Sequence, residues 1–449
     1  HTGKVIYPDE VHERIKNEFP YKDWIKQNIV RLKSALTEEE SMVSLNAASL
    51  KIYQKLFQIT NEEKTDVIRV LAESAQEATG SMGDDTPMAV LSLRNRLLSD
   101  YFRQQFAQVT NPPIDPLREQ IVMSLETYFG TESCLFEPHA GMAKSIVVDS
   151  PVLSTSKYTR LLGNDDPDFA HHVIDITFDD SMSLQQRVEQ ICDEAEQAVR
   201  NDAHIIVLSD REISKHRMPV PALLATGAVH HRLTQTGLRC DANILVDTGT
   251  TRDSHQFALL ISYGATAVHP YLVYESINEM ARSGQIKGDI NILLRQYRKG
   301  VNKGLYKIIS KMGISTIHSY RGAQLFEAVG LDEDVIDLCF KGTVSRIKGS
   351  GFAELEADQK TLLAYAWNPQ TGLEQGGLLK FIHGGEYHAY NPDVVRTMHA
   401  AVESGDYALY REYADTVNLR RPMVLRDLMS LRNDITPVPL DEVQRYRGN

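Results

Sequence analysis

The sequence is poor in the features that mark disulfide-rich, metal-binding and membrane-spanning proteins. Its 449 residues include four cysteines, Cys134, Cys192, Cys240 and Cys339, and none of them belongs to a Cys-x-x-Cys pair. Scattered cysteines of this kind are typical of reduced, buried thiols, so neither a disulfide framework nor a zinc or iron–sulfur site is expected. No apolar run approaches the roughly 18 residues that a membrane helix needs. We therefore expect a soluble protein of a reducing compartment, the cytoplasm or the plastid stroma.

Basic residues are also in deficit. The chain has 48 lysines and arginines against 60 aspartates and glutamates, which is a formal net charge of −12. A surface with that balance repels nucleic-acid phosphates and anionic lipids, so neither nucleic acid nor a membrane is expected as a partner. A glycine-rich phosphate loop of the GxGxxG or GxxxxGK(S/T) type follows none of the apolar runs. Its lack disfavours Rossmann and P-loop nucleotide sites.

The pattern that is present is an alternation of short apolar runs with amphipathic stretches. The apolar runs are 146–148, 173–176, 205–208, 243–247 and 265–268, and the helical stretches between them include 184–199, 222–233 and 257–263. Alternation of this kind predicts parallel strands joined by crossover helices, and therefore an α/β fold. The regular spacing favours an irregular (β/α) barrel-like central domain, and a doubly wound sheet is the alternative.

The two ends of the chain predict helical linker segments. Near the start, Tyr21, Trp24 and Ile25 recur at helical spacing. Thr60 and Glu63 have the spacing of a capping box, which predicts that a helix begins there. Three prolines near the carboxyl end predict an extended linker after the last helices. We divide the chain into a linker over 1–60, a central domain over 61–340, and the end of the central region with a second linker over 341–449.

No set of side chains in the sequence stands out as a catalytic or metal site. Asp84 and Asp85 could act as an acid–base pair or hold a metal, but adjacent carboxylates after a glycine more often satisfy turn and helix-cap donors. Asp210 and Arg211 follow an apolar run, at the kind of strand end where barrels place chemistry. An ion pair or cap is favoured for them because no base or nucleophile lies nearby in the sequence. Two pairs of adjacent histidines cannot face one side of a helix, so they do not predict a metal site.

Six blocks of the sequence carry distinctive motifs. They are 81–125, 219–239, 244–271, 302–331, 342–351 and 384–395. The first begins SMGDDTPMAV and contains the connector TNPPIDP, and the fourth reads NKGLYKIISKMGISTIHSYRGAQLFEAVGL. In these motifs and in their order, the chain resembles the central region of the large subunit of glutamate synthase. The resemblance runs through most of the chain from residue 80 onward.

Some positions depart from the family pattern. This chain has Thr250, His255–Gln256 and Lys348–Gly351 where the family usually has a glutamate, a His-His pair and a Gly-Gly-Ile-Gly turn. A role that the family gives to those positions is therefore not carried over to this chain.

The resemblance implies that this chain is one part of a longer enzyme. In the family, a glutaminase domain with an N-terminal cysteine precedes the central region, and an FMN barrel with an iron–sulfur cluster follows it. The chain starts without a methionine, and we expect it to be excised from such a protein. FMN and the cluster would then belong to the neighbouring barrel, and this segment would bind no cofactor. The implied partners are the fused glutaminase and FMN domains and, as electron donor, an NADPH-dependent small subunit or ferredoxin. Assembly into a homo-oligomer is left open.

The resemblance also implies a function and a site. The whole enzyme transfers the amide nitrogen of glutamine as ammonia to 2-oxoglutarate and reduces the imine to L-glutamate. This segment would hold the two catalytic domains in register and line the ammonia tunnel with Thr110, Asn111, Pro112 and Ile114, which lie in the TNPPIDP connector. The connector is stiff because its prolines fix φ, although an ordinary rigid loop has the same property. Two rival hypotheses are an independent barrel-type flavin oxidoreductase or lyase, and an inert interdomain scaffold with no tunnel role.

Overall fold

Helices and short strands alternate along the chain. A computed structural model describes residues 3, 5–33, 45–79, 84–107, 115, 120–132, 136–430, 434 and 436. In those residues the helices are α1 Pro8–Glu18, α2 Tyr21–Asn28, α3 Ala47–Leu56, α4 Arg69–Ser74, α5 Thr155–Leu162, α6 Leu184–Arg200, α7 Ala222–Gln235, α8 Ser254–Ser262, α9 Tyr271–Arg282, α10 Ile290–Lys311, α11 Ile317–Tyr320, α12 Glu333–Cys339, α13 Phe352–Trp367, α14 Pro392–Ser404 and α15 Tyr407–Asn418. The strands are β1 Ile29–Arg31, β2 Phe102–Gln104, β3 Thr127–Phe129, β4 Ser145–Val148, β5 His171–Asp175, β6 Thr177–Phe178, β7 Ile205–Ser209, β8 Met218–Pro219, β9 Asn243–Asp247, β10 Ala267–His269 and β11 Phe326–Ala328.

Four parallel strands form the central sheet in the order β5-β7-β9-β10. In the register of this sheet, Ser209 lies beside both Asp175 and Asp247, and Asp247 lies beside His269. Every residue of β7 and β9 is buried, as expected for a parallel sheet that is covered on both faces. Helices α6, α7 and α8 connect successive strands. The predicted β-α-β-α-β alternation is thus confirmed.

Side chains of the central sheet alternate between two hydrophobic cores. On one face, Ile206 and Ile244 belong to the larger core, which also contains the apolar residues of α6, α7 and α8. On the other face, Val207 and Leu245 pack with Ile146 of β4 in a smaller core. The strand period of two residues assigns consecutive side chains to opposite faces. All three crossover helices therefore cover the same face of the sheet.

The three crossover helices lie on a single face and the strands follow chain order, which is the local arrangement of a (β/α) barrel. A doubly wound fold would place helices on both faces. In the described residues, however, the row of strands is open, with β5 and β10 at its two ends. The α/β class and the parallel sheet are confirmed, and closure into a barrel-like domain stays a prediction.

A second sheet of three strands covers the far face of the central sheet. In it, β4 pairs in parallel with β1 and antiparallel with β3. Just after β4, Val152 forms a single bridge to Val268 of β10. The chain that leaves the second sheet therefore runs along the edge of the central one and joins the two.

Helical segments lie at both ends of the chain, as predicted. Helices α1, α2 and α15 have no buried residue. Helix α14 buries Val394 and Ala401, and it packs against α15. Among the described helices, none has both the length and the apolar character needed to cross a membrane.

Glu63 connects the helices that precede the sheet to the loop that follows β9. It forms the predicted capping box, in which Thr60 N donates to Glu63 Oε2 and Glu63 N donates to Thr60 Oγ1, both at 3.1 Å. A π-helix over Glu63–Ile68 then leads into α4. The Glu63 carboxylate also accepts from Nε of Arg252 at 2.9 Å, and the Arg252 side chain is buried. This ion pair holds the early helices against the sheet.

The close contact between α7 and α12 should require Gly227. A Cβ atom at Gly227 would lie 2.2 Å from the carbonyl oxygen of Cys339. We expect Gly227→Ala to lower the free energy of unfolding by about 1–3 kcal/mol, because the two helices must move apart. Urea unfolding measures this change. Gly372→Ala is the matched control, since nothing lies within 4 Å of its added Cβ, and equal losses in both variants would contradict the contact.

Candidate functional site

Polar side chains collect at the carboxyl edge of the central sheet. Ser209, Asp247 and His269 are the last residues of β7, β9 and β10, and Asp210 and Arg211 follow β7 directly. Because parallel strands end at the same edge, these side chains lie close together. α/β proteins commonly bind ligands at this edge, which makes it the first candidate for chemistry.

Asp247 is the centre of an ionic network at this edge. Its carboxylate accepts from Arg211 Nε at 2.5 Å and Nη2 at 3.1 Å, and from the Ser209 hydroxyl at 3.1 Å. It also accepts from Nδ1 of His269 at 2.8 Å. Burial alone would raise the pKa of Asp247, but the hydrogen bond from His269 and the charge of Arg211 outweigh it and lower the pKa to about 2. Asp247 is therefore ionised, and its charge is compensated inside the protein.

Asp210 is a second buried carboxylate, and its hydrogen bonds come from uncharged donors. It accepts from the Thr248 hydroxyl at 2.5 Å, the Gly249 amide at 3.0 Å and the Tyr271 hydroxyl at 2.8 Å. Burial raises the pKa of Asp210 to about 7. The side chain thereby fastens the loop after β9 to the start of α9.

Two aromatic rings complete the network. Tyr158 stacks on His269 with ring centroids 4.4 Å apart, and the Arg211 guanidinium lies 4.0 Å from the ring centroid of Tyr271. Asp247, the guanidinium of Arg211 and the imidazole of His269 are thus engaged with one another, while Asp210 is held by uncharged donors. Of the ion pair or cap that the sequence favours for Asp210 and Arg211, the structure has an ion pair of Arg211 with Asp247, and the network joins strands and loops.

A cavity of about 60 Å³ lies beside this edge. Its walls come from the end of α3, the segment 96–99, the start of α7, the loop after β9, α8 and α13. Thr250 in that loop is linked to Asp210 through Thr248, whose Oγ1 lies 2.9 Å from Oγ1 of Thr250. Leucine is the most frequent residue in the wall of the cavity, and Arg96 and Asp358 are the charged residues among the described ones that line it.

The predicted tunnel residues Thr110, Asn111, Pro112 and Ile114 lie outside the described residues. Their assignment to an ammonia tunnel stays a prediction.

The carboxylates of Asp84 and Asp85 have separate tasks. Asp84 accepts from the amide of Thr86 at 3.0 Å and from its hydroxyl at 2.6 Å, which stabilises a turn. Asp85 accepts from Nδ1 of His388 at 2.7 Å and from the Tyr390 amide at 3.0 Å. Asp84 thus forms the turn contact that the sequence favours, whereas Asp85 pairs with His388 and caps none of the described helices. Across the described ranges, no group of three or more His, Cys, Asp or Glu side chains could hold a metal ion.

His388 fastens the segment 376–390 to the loop that contains Asp85. Its Nε2 lies 2.9 Å from the carbonyl oxygen of Gly377, while its Nδ1 faces Asp85. Only the protonated ring can donate to both acceptors at once. Burial alone would lower the pKa of His388, but the Gly377 carbonyl and the Asp85 carboxylate outweigh it and raise the pKa above its usual value. The buried Glu62 strengthens the same attachment by accepting from the Gly377 amide at 2.7 Å.

The departures at His255 and Gln256 have local structural roles. Gln256 completes a capping box at the start of α8. Its backbone N–H donates to Asp253 Oδ1 at 2.9 Å, and its side-chain Oε1 accepts from the backbone N–H of Asp253 at 3.4 Å. Nε2 of His255 lies 3.0 Å from the carbonyl oxygen of Ser99. Both residues thus stabilise the start of this helix and its contact with the segment 96–99.

The family description of the glutamate synthase central domain matches residues 52–332, which is more than half of the chain. The chain belongs to the glutamate synthase central domain family.

Curated relatives of this central domain are large glutamate synthase chains. The chain is 36% identical over 444 residues to the NADPH glutamate synthase large chain of Bacillus subtilis, and the alignment covers 98% of this chain and 29% of that one. It is 39% identical over 453 residues to the ferredoxin-dependent glutamate synthase of Antithamnion sp., covering 97% and 29%. The chloroplastic enzyme of Oryza sativa gives 38% over 459 residues, covering 99% and 28%. The chain thus spans less than a third of the length of these relatives.

Solved structures add little for the central domain. A flavocytochrome b2 mutant with bound pyruvate aligns with 35% of this chain and 41% of its own, at 16% identity and a TM-score of 0.25. A likeness at this level carries no argument about the closure of a barrel.

The sequence interpretation missed the pairing of Asp247 with His269 in this central domain. Both residues end predicted strands, and a polar residue at the last position of neighbouring apolar runs is the signal that could have indicated it. The cavity has no comparable signal, because its walls come from segments far apart in the chain.

Asp247 should contribute more to stability than Asp210. Asp247→Asn removes the charge that compensates the partly buried Arg211, so we expect the free energy of unfolding to fall by about 3–5 kcal/mol. Asp210→Asn keeps an acceptor oxygen for uncharged donors and should cost about 1–2 kcal/mol. Urea unfolding at neutral pH compares the two. Equal losses in the two variants would contradict the assignment.

The stability of the unchanged chain should also depend on pH through Asp210. Because the pKa of Asp210 is raised from 3.8 to about 7, its ionisation destabilises the fold as the pH rises through that range, and the stability of Asp210→Asn should lack this decrease with pH.

The contribution of His388 should depend on pH. Its pKa in the folded chain is raised above 6.5, so the stabilisation is complete below pH 6.5 and is lost as the pH rises through the folded-state pKa. His388→Gln should therefore lower the free energy of unfolding more in mildly acidic than in alkaline solution, as measured by urea unfolding at both. His383→Gln, at an exposed position of the same segment, is the control. A pH-independent effect of His388→Gln would argue against the protonated ring.

Proposed function

We propose that this chain positions two catalytic domains of a glutamate synthase and forms part of the wall that encloses ammonia between them. The observation that supports this proposal is the arrangement of side chains at the carboxyl edge of the central sheet. That edge is where α/β proteins commonly place reacting groups, and here Asp247, Arg211 and His269 are hydrogen-bonded to one another while Asp210 is held by uncharged donors. A domain of this kind supplies a rigid shape, and the reacting groups belong to its neighbours.

The reaction that we assign to the full-length enzyme has three balanced steps. Water hydrolyses the side-chain amide of glutamine to glutamate and ammonia. Ammonia then adds to the keto carbon of 2-oxoglutarate, and loss of water leaves an imine. Two electrons and two protons reduce the imine to a second glutamate. We assign FMN and the iron–sulfur cluster to a neighbouring domain, and the electrons to an NADPH-dependent small subunit or ferredoxin, because relatives are named for both donors.

Enclosure matters because ammonia is protonated in bulk water, and ammonium is not a nucleophile. A passage that excludes water prevents this loss between the two reactions. We assign Thr110, Asn111, Pro112 and Ile114 to the wall of that passage. Their neighbouring prolines restrict the backbone, which would keep the width of the passage constant.

The proposed organisation has a linker over 1–60, a central domain over 61–340 and a closing region with a linker over 341–449. The family match over 52–332 supports the middle range. We propose the cytoplasm or the plastid stroma as the compartment, and the chloroplastic name of the rice relative supports the second. An irregular barrel-like shape for the central domain is part of the same proposal.

Asn111→Trp in the full-length enzyme should separate the two reactions. We expect glutamine hydrolysis to continue while free ammonia is released, because a bulky ring obstructs the passage. The yield of glutamate per glutamine consumed should then fall from about two towards one, since only hydrolysis still produces glutamate. Glutamate and ammonia are measured together in single assays.

Asn418→Trp is the matched control for this experiment, since Asn418 is an exposed residue of α15. It should leave the yield of glutamate unchanged. An unchanged yield in Asn111→Trp would contradict the tunnel wall and favour an inert interdomain scaffold.

A further inference from the structure

The cavity beside the carboxyl edge differs from that edge because it contains a carboxylate that has no side-chain partner among the described residues. Helix α13 contributes Leu355, Asp358, Gln359 and Leu362 to its wall. Residues at these spacings share one face of a helix, so the side chain of Asp358 lies among the apolar lining of the cavity.

Arg96, the other charged lining residue, is already neutralised. Its Nε donates to Asp100 at 2.9 Å, and its Nη1 donates to the carbonyl of Pro87 at 3.3 Å. The buried Glu386 lies 3.6 Å from the same Nη1. Two carboxylates, those of Asp100 and Glu386, therefore neutralise Arg96. Asp358 is the remaining charged residue among the described ones that line the cavity.

The carboxylate of Asp358 has no hydrogen bond or ion pair to any other residue in the described part of the chain. The contact that it does make uses the backbone, whose carbonyl accepts from Nδ2 of Asn95 at 3.3 Å. The side chain is half-buried, and burial raises the pKa of Asp358. A carboxylate that is partly removed from water without a counter-charge destabilises a protein. A ligand that brings a positive charge and N–H donors would remove that penalty.

The size of the cavity limits the ligand. Its volume of about 60 Å³ is less than half of the roughly 150 Å³ of an apolar cavity that binds benzene. That space accommodates an ammonium group with one or two carbon atoms. Ser99 and Thr250, which also line the cavity, have hydroxyls that can accept further hydrogen bonds, and Leu259 and Leu362 supply apolar surface for the carbons.

We propose that this cavity is a binding site for a small primary ammonium ion of the size of methylammonium or ethylammonium, with Asp358 as its counter-charge. Such an ion donates three hydrogen bonds and has a short apolar end, which matches a single carboxylate with hydroxyls in a leucine-lined space. A divalent metal is a poor match, because such ions take several oxygen ligands and the described wall of the cavity offers Asp358 as its one carboxylate. The site goes beyond the positioning role, and its test uses this chain without the neighbouring domains.

Calorimetric titration with ethylammonium chloride tests the site. We expect saturable binding to the unchanged chain, and an affinity at least about tenfold lower in Asp358→Asn, which keeps the shape and removes the charge. Glu403→Gln removes one exposed carboxylate on α14 and should bind as the unchanged chain does. Leu362→Phe should abolish binding by filling the cavity while the charge of Asp358 is retained, and circular dichroism verifies that each variant is folded.

Two further probes separate the proposed site from unspecific effects. Ethanol has the size of ethylammonium without its charge, and tetramethylammonium has the charge without N–H donors. Neither should compete with ethylammonium. Equal binding of either probe, or undiminished binding of ethylammonium to folded Asp358→Asn, would overturn the proposal.

Discussion

The compensated charge of Asp247 holds the carboxyl edge of the central sheet together. This residue ends β9 and receives hydrogen bonds from both neighbouring strands, from Ser209 and Arg211 on the β7 side and from His269 on the β10 side. An ionised carboxylate at this depth is strongly destabilising unless its partners are in place. The three strands must therefore end in register, and this requirement also positions the loops that follow them.

The loop after β9 attaches other parts of the chain to the central sheet. Arg252 in that loop donates to Glu63 and to the carbonyl of Phe57, at 2.9 and 3.0 Å, and its own carbonyl accepts from the Tyr297 hydroxyl at 2.9 Å. The helices before the sheet and the long helix α10 after it are thus attached to one loop. This connection supports the proposal that the chain keeps two neighbouring domains at a constant separation.

Charge is distributed in two ways at the carboxyl side of this family member. Along the strand ends, each carboxylate has donors, and the resulting network stabilises the fold without an unpaired base in the described residues. In the adjoining cavity, Asp358 lacks a partner in the described part of the chain, while Arg96 is held by Asp100 and Glu386. Structural rigidity and ligand recognition therefore belong to different residues, even though Thr248 and Thr250 connect the two places.

Local patterns in the sequence determined the α/β class, the strand positions and the capping box. The predicted runs 205–208 and 243–247 fall within β7 and β9, because buried parallel strands are short and rich in branched apolar residues. The same patterns favoured an ion pair or cap for Asp210 and Arg211, and Arg211 does form an ion pair, with Asp247. Tertiary structure alone decided that the described sheet is open, that Asp247 meets His269, and that α3, α7, α8 and α13 enclose a cavity. Those features depend on distances between residues far apart in the chain, and periodicity and spacing contain no information about such distances.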